Sequence, residues 1–355
     1  MKVDQSCRIC RARQVLDTMR DKYLAQWSAL DFAKNKNILD INEVLMLDSE
    51  KQVNGIGQLM LVVATMIWGT SFFILKNTLD SLPVMLVLAV RFLVSALILF
   101  VMFFNRIKRV KKRTVLVGVA LGAILSCAYL LQTYGLTGVS PGENAFLTST
   151  YSVLVPFMCW LLFKKRPDAF SFIAMIFCIV GVGFVALSGE VGFSLGIGQL
   201  LTLACAIFYG LQIVVTSFCA EREDRMAVLT IQLFVVGFVC LIGSLFAEVG
   251  RTAISLNLEL VATLAYLTLA CTLLAQGLQI QGLKNVPASQ GSLLLSLESV
   301  FGVLFSAMLG GENFTVYNVL GFILIFISVI ISETKLSFIT RLFKKSTSAK
   351  DKTDN

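Results

Sequence analysis

The stretch PVMLVLAVRFLVSALILFVMFF, residues 83–104, continued by NRIKRVKKR, residues 105–113, decides the fold class of this chain. Between Pro83 and Asn105 the only polar side chains are Arg91 and Ser95. A helix needs about 20 mostly apolar residues to cross a hydrocarbon core of roughly 30 Å. The run is continuously apolar, not alternating, so it predicts a helix and not a barrel strand; in lipid only these two structures satisfy the backbone. The dense run of Lys and Arg from Arg106 to Arg113 marks the end that stays in the cytoplasm.

Working outward, the same pattern recurs from Gly57 to Glu333, with spans expected at about 57–75, 83–104, 114–134, 142–163, 168–188, 195–218, 226–247, 258–280, 288–309 and 315–333. The expected fold class is therefore all-α, an integral membrane protein of ten transmembrane helices. The whole chain of 355 residues is 57% hydrophobic and 15% charged, well below the charge a water-facing surface carries. Pro83, Pro141, Pro167 and Pro287 fall at helix starts, where a missing N–H costs nothing. Pro156 lies inside the fourth span and is expected to kink it. Ser140-Pro141-Gly142-Glu143 has the form of an N-cap, a first-position proline and a capping-box glutamate.

A net charge of +8 raises the question of a nucleic-acid partner, and the placement of the charge answers it. Alternate joints collect the basic residues: the Arg106–Arg113 run, then Lys164, Lys165 and Arg166, then Arg222, Arg225 and Lys284, then the C-terminal Lys335, Arg341, Lys344 and Lys345. The opposite joints hold only Lys76 and Arg251. This asymmetry predicts both termini in the cytoplasm, a lipid bilayer as the partner of the basic face, and no nucleic acid.

The two halves resemble each other. At an offset of 147, Gly135-Leu136 falls on Gly282-Leu283, Val139 on Val286, Leu147 on Leu294, Ser149 on Ser296, and Ser152-Val153 on Ser299-Val300. At an offset of 141, Trp68-Gly69 falls on Tyr209-Gly210 and Arg91 on Gln232. A five-helix unit ends on the face opposite its start, so two tandem copies are inverted, as in many secondary transporters. The expected domains are a polar N-terminal extension at 1–56, repeats at 57–188 and 195–333, and a basic cytosolic tail at 334–355. Leu16, Met19, Tyr23, Trp27 and Leu30 have the spacing of a short amphipathic helix, and Met46 is an alternative start.

No histidine is present, which removes the commonest general base and metal ligand. Cys7-x-x-Cys10 lacks a second ligand pair, and Cys127, Cys159, Cys178, Cys205, Cys240 and Cys271 lie in apolar runs as small fillers. No enzyme activity, cofactor or metal is expected.

Taken in order, several motifs carry a family resemblance: Trp68-Gly69-Thr70-Ser71-Phe72, Lys76, Pro83 and Arg91-Phe92 in the first two spans, then Asn144-Ala145-Phe146-Leu147-Thr148 leading to Val155-Pro156. Leu297-Glu298 and Gly310-Gly311-Glu312 complete the set. Over about 57–333 the chain resembles the drug/metabolite transporter superfamily, in its ten-helix EamA-type branch. The resemblance implies a carrier with a central cavity between the repeats, working by alternating access; members of the family move amino acids, metabolites, nucleotide sugars or drugs, and the resemblance does not fix which. Two departures stand out: Ser299 where the family has proline, and Lys164-Lys165-Arg166 where many members have a Gly-Glu turn.

Charges deep in a span cost at least about 2.5–3.5 kcal/mol on insertion scales, so they call for a reason. Arg91 lies roughly 12 Å into the second helix at 1.5 Å per residue, and Glu298 lies near the middle of the ninth. Arg91 is expected to bind an anionic substrate group, to hold Glu298, or to clamp neighbouring carbonyls. Glu298 is the candidate coupling or substrate-amine site. Gln132 and Gln279 occupy equivalent repeat positions and are candidates for matching gates or for plain helix–helix hydrogen bonding. Trp68 is a stacking candidate or a packing residue, and Thr148, Tyr151 and Ser296 are candidate cavity hydroxyls. Lys76 is expected to snorkel toward headgroups, and Gly118-x-x-x-Gly122 to permit close helix packing. The expected function is export of a small metabolite or drug through the cell (inner) membrane by a monomer or homodimer, with a channel or a non-transporting sensor or scaffold as alternatives.

Overall fold

The computed structural model describes residues 55–164, 166–187, 195–219, 223–248, 257–284, 286 and 288–334; the expectations for the N-terminal extension and the basic tail lie outside these. The described chain is all-helical. Its principal helices are α1 (Gly55–Leu79), α2 (Val84–Met102), α3 (Lys112–Gly138), α4 (Pro141–Phe163), α5 (Ala169–Ala186), α6 (Ile197–Cys219), α7 (Arg225–Ala247), α8 (Leu258–Gly282), α9 (Ala288–Gly310) and α10 (Val316–Thr334). Among the described residues, nine are long and apolar enough to cross a membrane, and the apolar part of α10, Val316–Ser332, is a shorter tenth.

The surface and interior invert the soluble pattern. Leu97, Val101, Leu161, Ile179, Phe246 and Ile323 face outward, while Thr65, Ser95, Asn144, Thr148, Ser152 and Gln276 are buried. Lipid solvates the former; the latter need protein partners because hydrocarbon offers none. Apolar packing around α1 and α8 centres on Leu61, Trp68, Leu267 and Leu283, and that around α2, α3 and α7 on Leu88, Phe92, Leu121 and Leu233.

The packing scheme carries the repeat. α2 lies on α7 and α5 on α10; α1 lies on α8 and α9, as α6 lies on α3 and α4. Exchanging each helix for its counterpart five places on returns the same set of neighbours. Gly181 and Gly321 sit where α5 meets α10, and a methyl on either would stand 2.8–2.9 Å from the other's carbonyl oxygen. The repeat also governs helix ends: α4 stops on Lys164 (φ 58°) and α9 on Gly311 (φ 60°), equivalent positions at the 147 offset. Both are left-handed, a conformation glycine adopts freely and lysine does not.

Local signals act as expected at the N-terminus of α4, where Ser140 Oγ accepts the Glu143 N–H at 3.2 Å. The Glu143 carboxylate reaches back to the Ser140 backbone, which completes the box. It also accepts from Gln199 Nε2 of α6, at 2.5 Å. α4 is interrupted at Thr150, ahead of Pro156, which lies within the following helical segment. α9 runs unbroken through Ser299, whose hydroxyl donates to the Ser296 carbonyl of the turn before. Gly118 and Gly122 let α3 close on Ile231 and Val235 of α7.

Candidate functional site

A narrow cavity of about 40 Å³ runs along the pseudo-two-fold interface, lined from both repeats. α1 contributes Trp68, Ser71 and Leu75; α2 Arg91; α3 Tyr129 and Gln132; and α4 Asn144 and Tyr151. From the second repeat come Tyr209 and Gln212 of α6, Gln276 and Gln279 of α8, and Leu295 and Glu298 of α9. Sites that enclose drug-sized ligands span about 300–1,000 Å³. This cavity is therefore contracted, and admitting a solute requires the helices to part.

Arg91 is held from one side only. Its Nε donates to Thr272 Oγ1 at 3.1 Å, and its guanidinium lies 5.8 Å and 5.9 Å from the ring centroids of Phe92 and Tyr129. Nη1 is buried without a hydrogen-bond partner, in a residue 1% exposed. Thr272 belongs to a π-helical stretch of α8, Leu267–Leu274, and closes the wide turn by donating to the Leu267 carbonyl at 2.8 Å. The wide turn leaves carbonyls for other helices. Cys271 O accepts from Trp68 Nε1 at 2.8 Å, and Thr268 O from Ser95 Oγ at 3.0 Å. α1 and α2 are thus both fastened to the segment that orients Arg91.

Glu298 is buried on the facing helix, and its carboxylate makes no hydrogen bond among the described residues. Among the described residues no ion pair joins it to Arg91. Both side chains are left available to whatever occupies the cavity.

The amides divide unevenly. Gln132 Oε1 accepts from the Tyr209 hydroxyl at 2.7 Å, while its Nε2 donates to Thr148 Oγ1 at 3.2 Å. Gln279, its repeat counterpart, has one long contact, Nε2 to Gln212 Oε1 at 3.5 Å. Gln276 Nε2 donates to the Tyr129 hydroxyl at 3.0 Å, and Asn144 Oδ1 is buried with no partner.

Of the residues expected to line the cavity, Arg91, Glu298, Trp68, Gln132, Gln279 and Tyr151 do. Thr148 stands behind Gln132, in contact also with Cys205 Sγ at 3.7 Å. Ser296 turns away and bonds to its own helix at Leu293 O, 2.7 Å. Two positions along a helix differ by about 200°, so Ser296 and Glu298 cannot share a face, whereas Leu295 and Glu298 do. Lys76 does not snorkel. Its ammonium caps the C-terminus of α3, donating to the carbonyls of Leu136, Thr137 and Val139 at 2.7, 3.1 and 3.1 Å. Sequence reasoning missed Tyr129, Tyr209, Gln212 and Gln276; their signal was the repeat offset, which places Tyr209 on Trp68 and Gln276 on Tyr129.

Comparison with known proteins fits this architecture. The model of the EamA-like transporter family matches residues 55–187 and again 196–334. An uncharacterized transporter of Archaeoglobus fulgidus is 30% identical over 276 residues, covering 78% of this chain and 85% of that protein. The Bacillus subtilis uncharacterized transporter YetK is 25% identical, over 74% of this chain and 82% of its own. A protein crystal structure superposes with a TM-score of 0.60 at 14% identity, over 79% of this chain and 98% of the other, a likeness of fold alone.

Proposed function

We propose, from the premise that this chain belongs to the EamA-like transporter family, that it is a secondary carrier which exports a small metabolite or drug by alternating access. The observation that carries the reading is the pair of ionisable side chains without hydrogen-bond partners on one narrow cavity: the buried Arg91 Nη1 and the Glu298 carboxyl, contributed by opposite repeats. An arrangement of this kind gains most from a solute that brings its own anionic group to Arg91. Glu298 serves as the coupling site or takes a cationic group of the same solute. Tyr129, Tyr151, Tyr209 and Trp68 offer ring faces, and Gln132, Gln212 and Gln279 offer amides that orient a planar or polar body between the charges. The basic loops orient the protein with both termini in the cytoplasm of a cell whose inner membrane it spans.

The test is a counterflow assay across a panel of small solutes in proteoliposomes, run in parallel on the wild type and Arg91→Ala. Saturable exchange of a solute with an anionic group, lost in the variant, is expected. Single-channel conductance steps would replace the carrier by a pore. Absence of flux for every solute would leave the sensor or scaffold as the account.

A further inference from the structure

We propose that two glycine crossings at opposite ends of the bundle are the paired gates of this carrier, and that the α3–α6 crossing is the latched one here. The proposal rests on the carrier reading above. At one end α1 crosses α8 at Gly57 and Gly282: a methyl on Gly57 would stand 3.0 Å from the Gly282 oxygen, and one on Gly282 2.9 Å from the Gly57 oxygen. At the other end α3 crosses α6 at Gly135 and Gly198, with the corresponding distances 3.0 Å and 2.9 Å. These are the same two repeat positions, since 57 maps on 198 by the 141 offset and 135 on 282 by the 147 offset.

Each crossing joins a helix of the first repeat to one of the second, and the cavity lies between the two. Rocking one repeat against the other must open one crossing while the other stays shut. Bare backbone contact suits this duty, because it closes tightly and parts without side chains unlocking.

The two differ in what reinforces them. Beside Gly135 stands Thr202, whose hydroxyl donates to Gly198 O at 2.7 Å and accepts from Asn144 Nδ2 at 2.8 Å. Asn144 Nδ2 also reaches Gln132 O at 3.3 Å, and Glu143 takes Gln199 near the start of α6. At the repeat-equivalent place beside Gly282 stands Leu61, packed with Leu283 and Val286. Hydrogen bonds latch one gate and apolar packing closes the other, so the α1–α8 crossing is the one that parts first from this state.

The experiment reads access and not flux. Leu75→Cys and Ile213→Cys place thiols in the cavity toward the α3–α6 and α1–α8 ends respectively. A membrane-impermeant maleimide is applied from each face of sealed proteoliposomes holding the full chain, and each site is quantified by peptide mass spectrometry. Gly198→Ala is expected to raise labelling at Leu75→Cys by about tenfold from its own face while lowering it at Ile213→Cys from the other. Gly57→Ala is expected to give the mirror result. Thr202→Val, which adds no heavy atoms, shifts access in the direction of Gly198→Ala and carries the test if the alanine variants do not fold. Parallel changes at both thiols, or none in a variant of unaltered thermal stability, overturn the gate assignment while leaving the carrier intact. Passage of the maleimide through the wild-type protein, read as labelled thiol trapped inside the vesicles, would mean both gates open at once and overturns the carrier reading itself.

Discussion

α3 and α8 hold the same place in their repeats and have come to do different work. In α3, residues 120–127 run as regular helix, and Ser126 spends its hydroxyl on the Gly122 carbonyl of its own turn. In α8 the equivalent Leu267–Leu274 is π-helical, and three bonds leave or enter it from Trp68, Ser95 and Arg91. Gly118 and Gly122 make α3 a close-packing surface against α7, whereas the wide turn makes α8 a polar frame for α1 and α2. The duplication supplies the scaffold twice, and the polar cross-links to α1 and α2 are concentrated in one copy of it.

Breaking that contrast at its centre gives the largest expected effect. Arg91→Leu should cut counterflow by about 10- to 100-fold, the value of a lost charge-assisted bond to substrate. Its melting temperature should hold or rise, because the buried Nη1 has no partner to lose. A marked fall in stability would make Arg91 a clamp instead. Next comes Glu298→Gln, for which flux is expected to fall about tenfold and to lose its dependence on pH; an unchanged pH profile removes the coupling role.

Thr272→Val, which leaves Arg91 in place but frees its Nε, sharpens the comparison. KM should rise about fivefold with kcat little changed, matching a bond of roughly 1 kcal/mol. Trp68→Phe should lower the melting temperature slightly, at about 0.6 kcal/mol for a hydrogen bond between membrane helices. Ser126→Ala on α3 is the control, with neither transport nor stability expected to move, since its bond stays within its own helix.

Hydrophobic spacing was enough to place ten helices, and the 141 and 147 offsets to divide them into two repeats, because both signals are large compared with local preferences. The intramembrane charges Arg91 and Glu298 stood out for the same reason. Neutral amides did not: Gln212 and Gln276 cost little in a span and look like any polar residue until the helices are rotated into place. The π-turn of α8 left no trace, since Leu267–Leu274 keeps ordinary apolar composition and only the Arg91, Trp68 and Ser95 partners reveal its purpose. Lys76 was misjudged because the carbonyls it caps lie on another helix. Thr148 and Ser296 show the limit of choosing hydroxyls by type: one lies behind Gln132, the other on the far side of Glu298.

The slenderness of the central cavity has an electrical consequence. About 40 Å³ holds at most a few water molecules, too few for a continuous wire along which ions or protons could leak. On the carrier reading proposed above, so slender a cavity keeps the membrane insulated between turnovers.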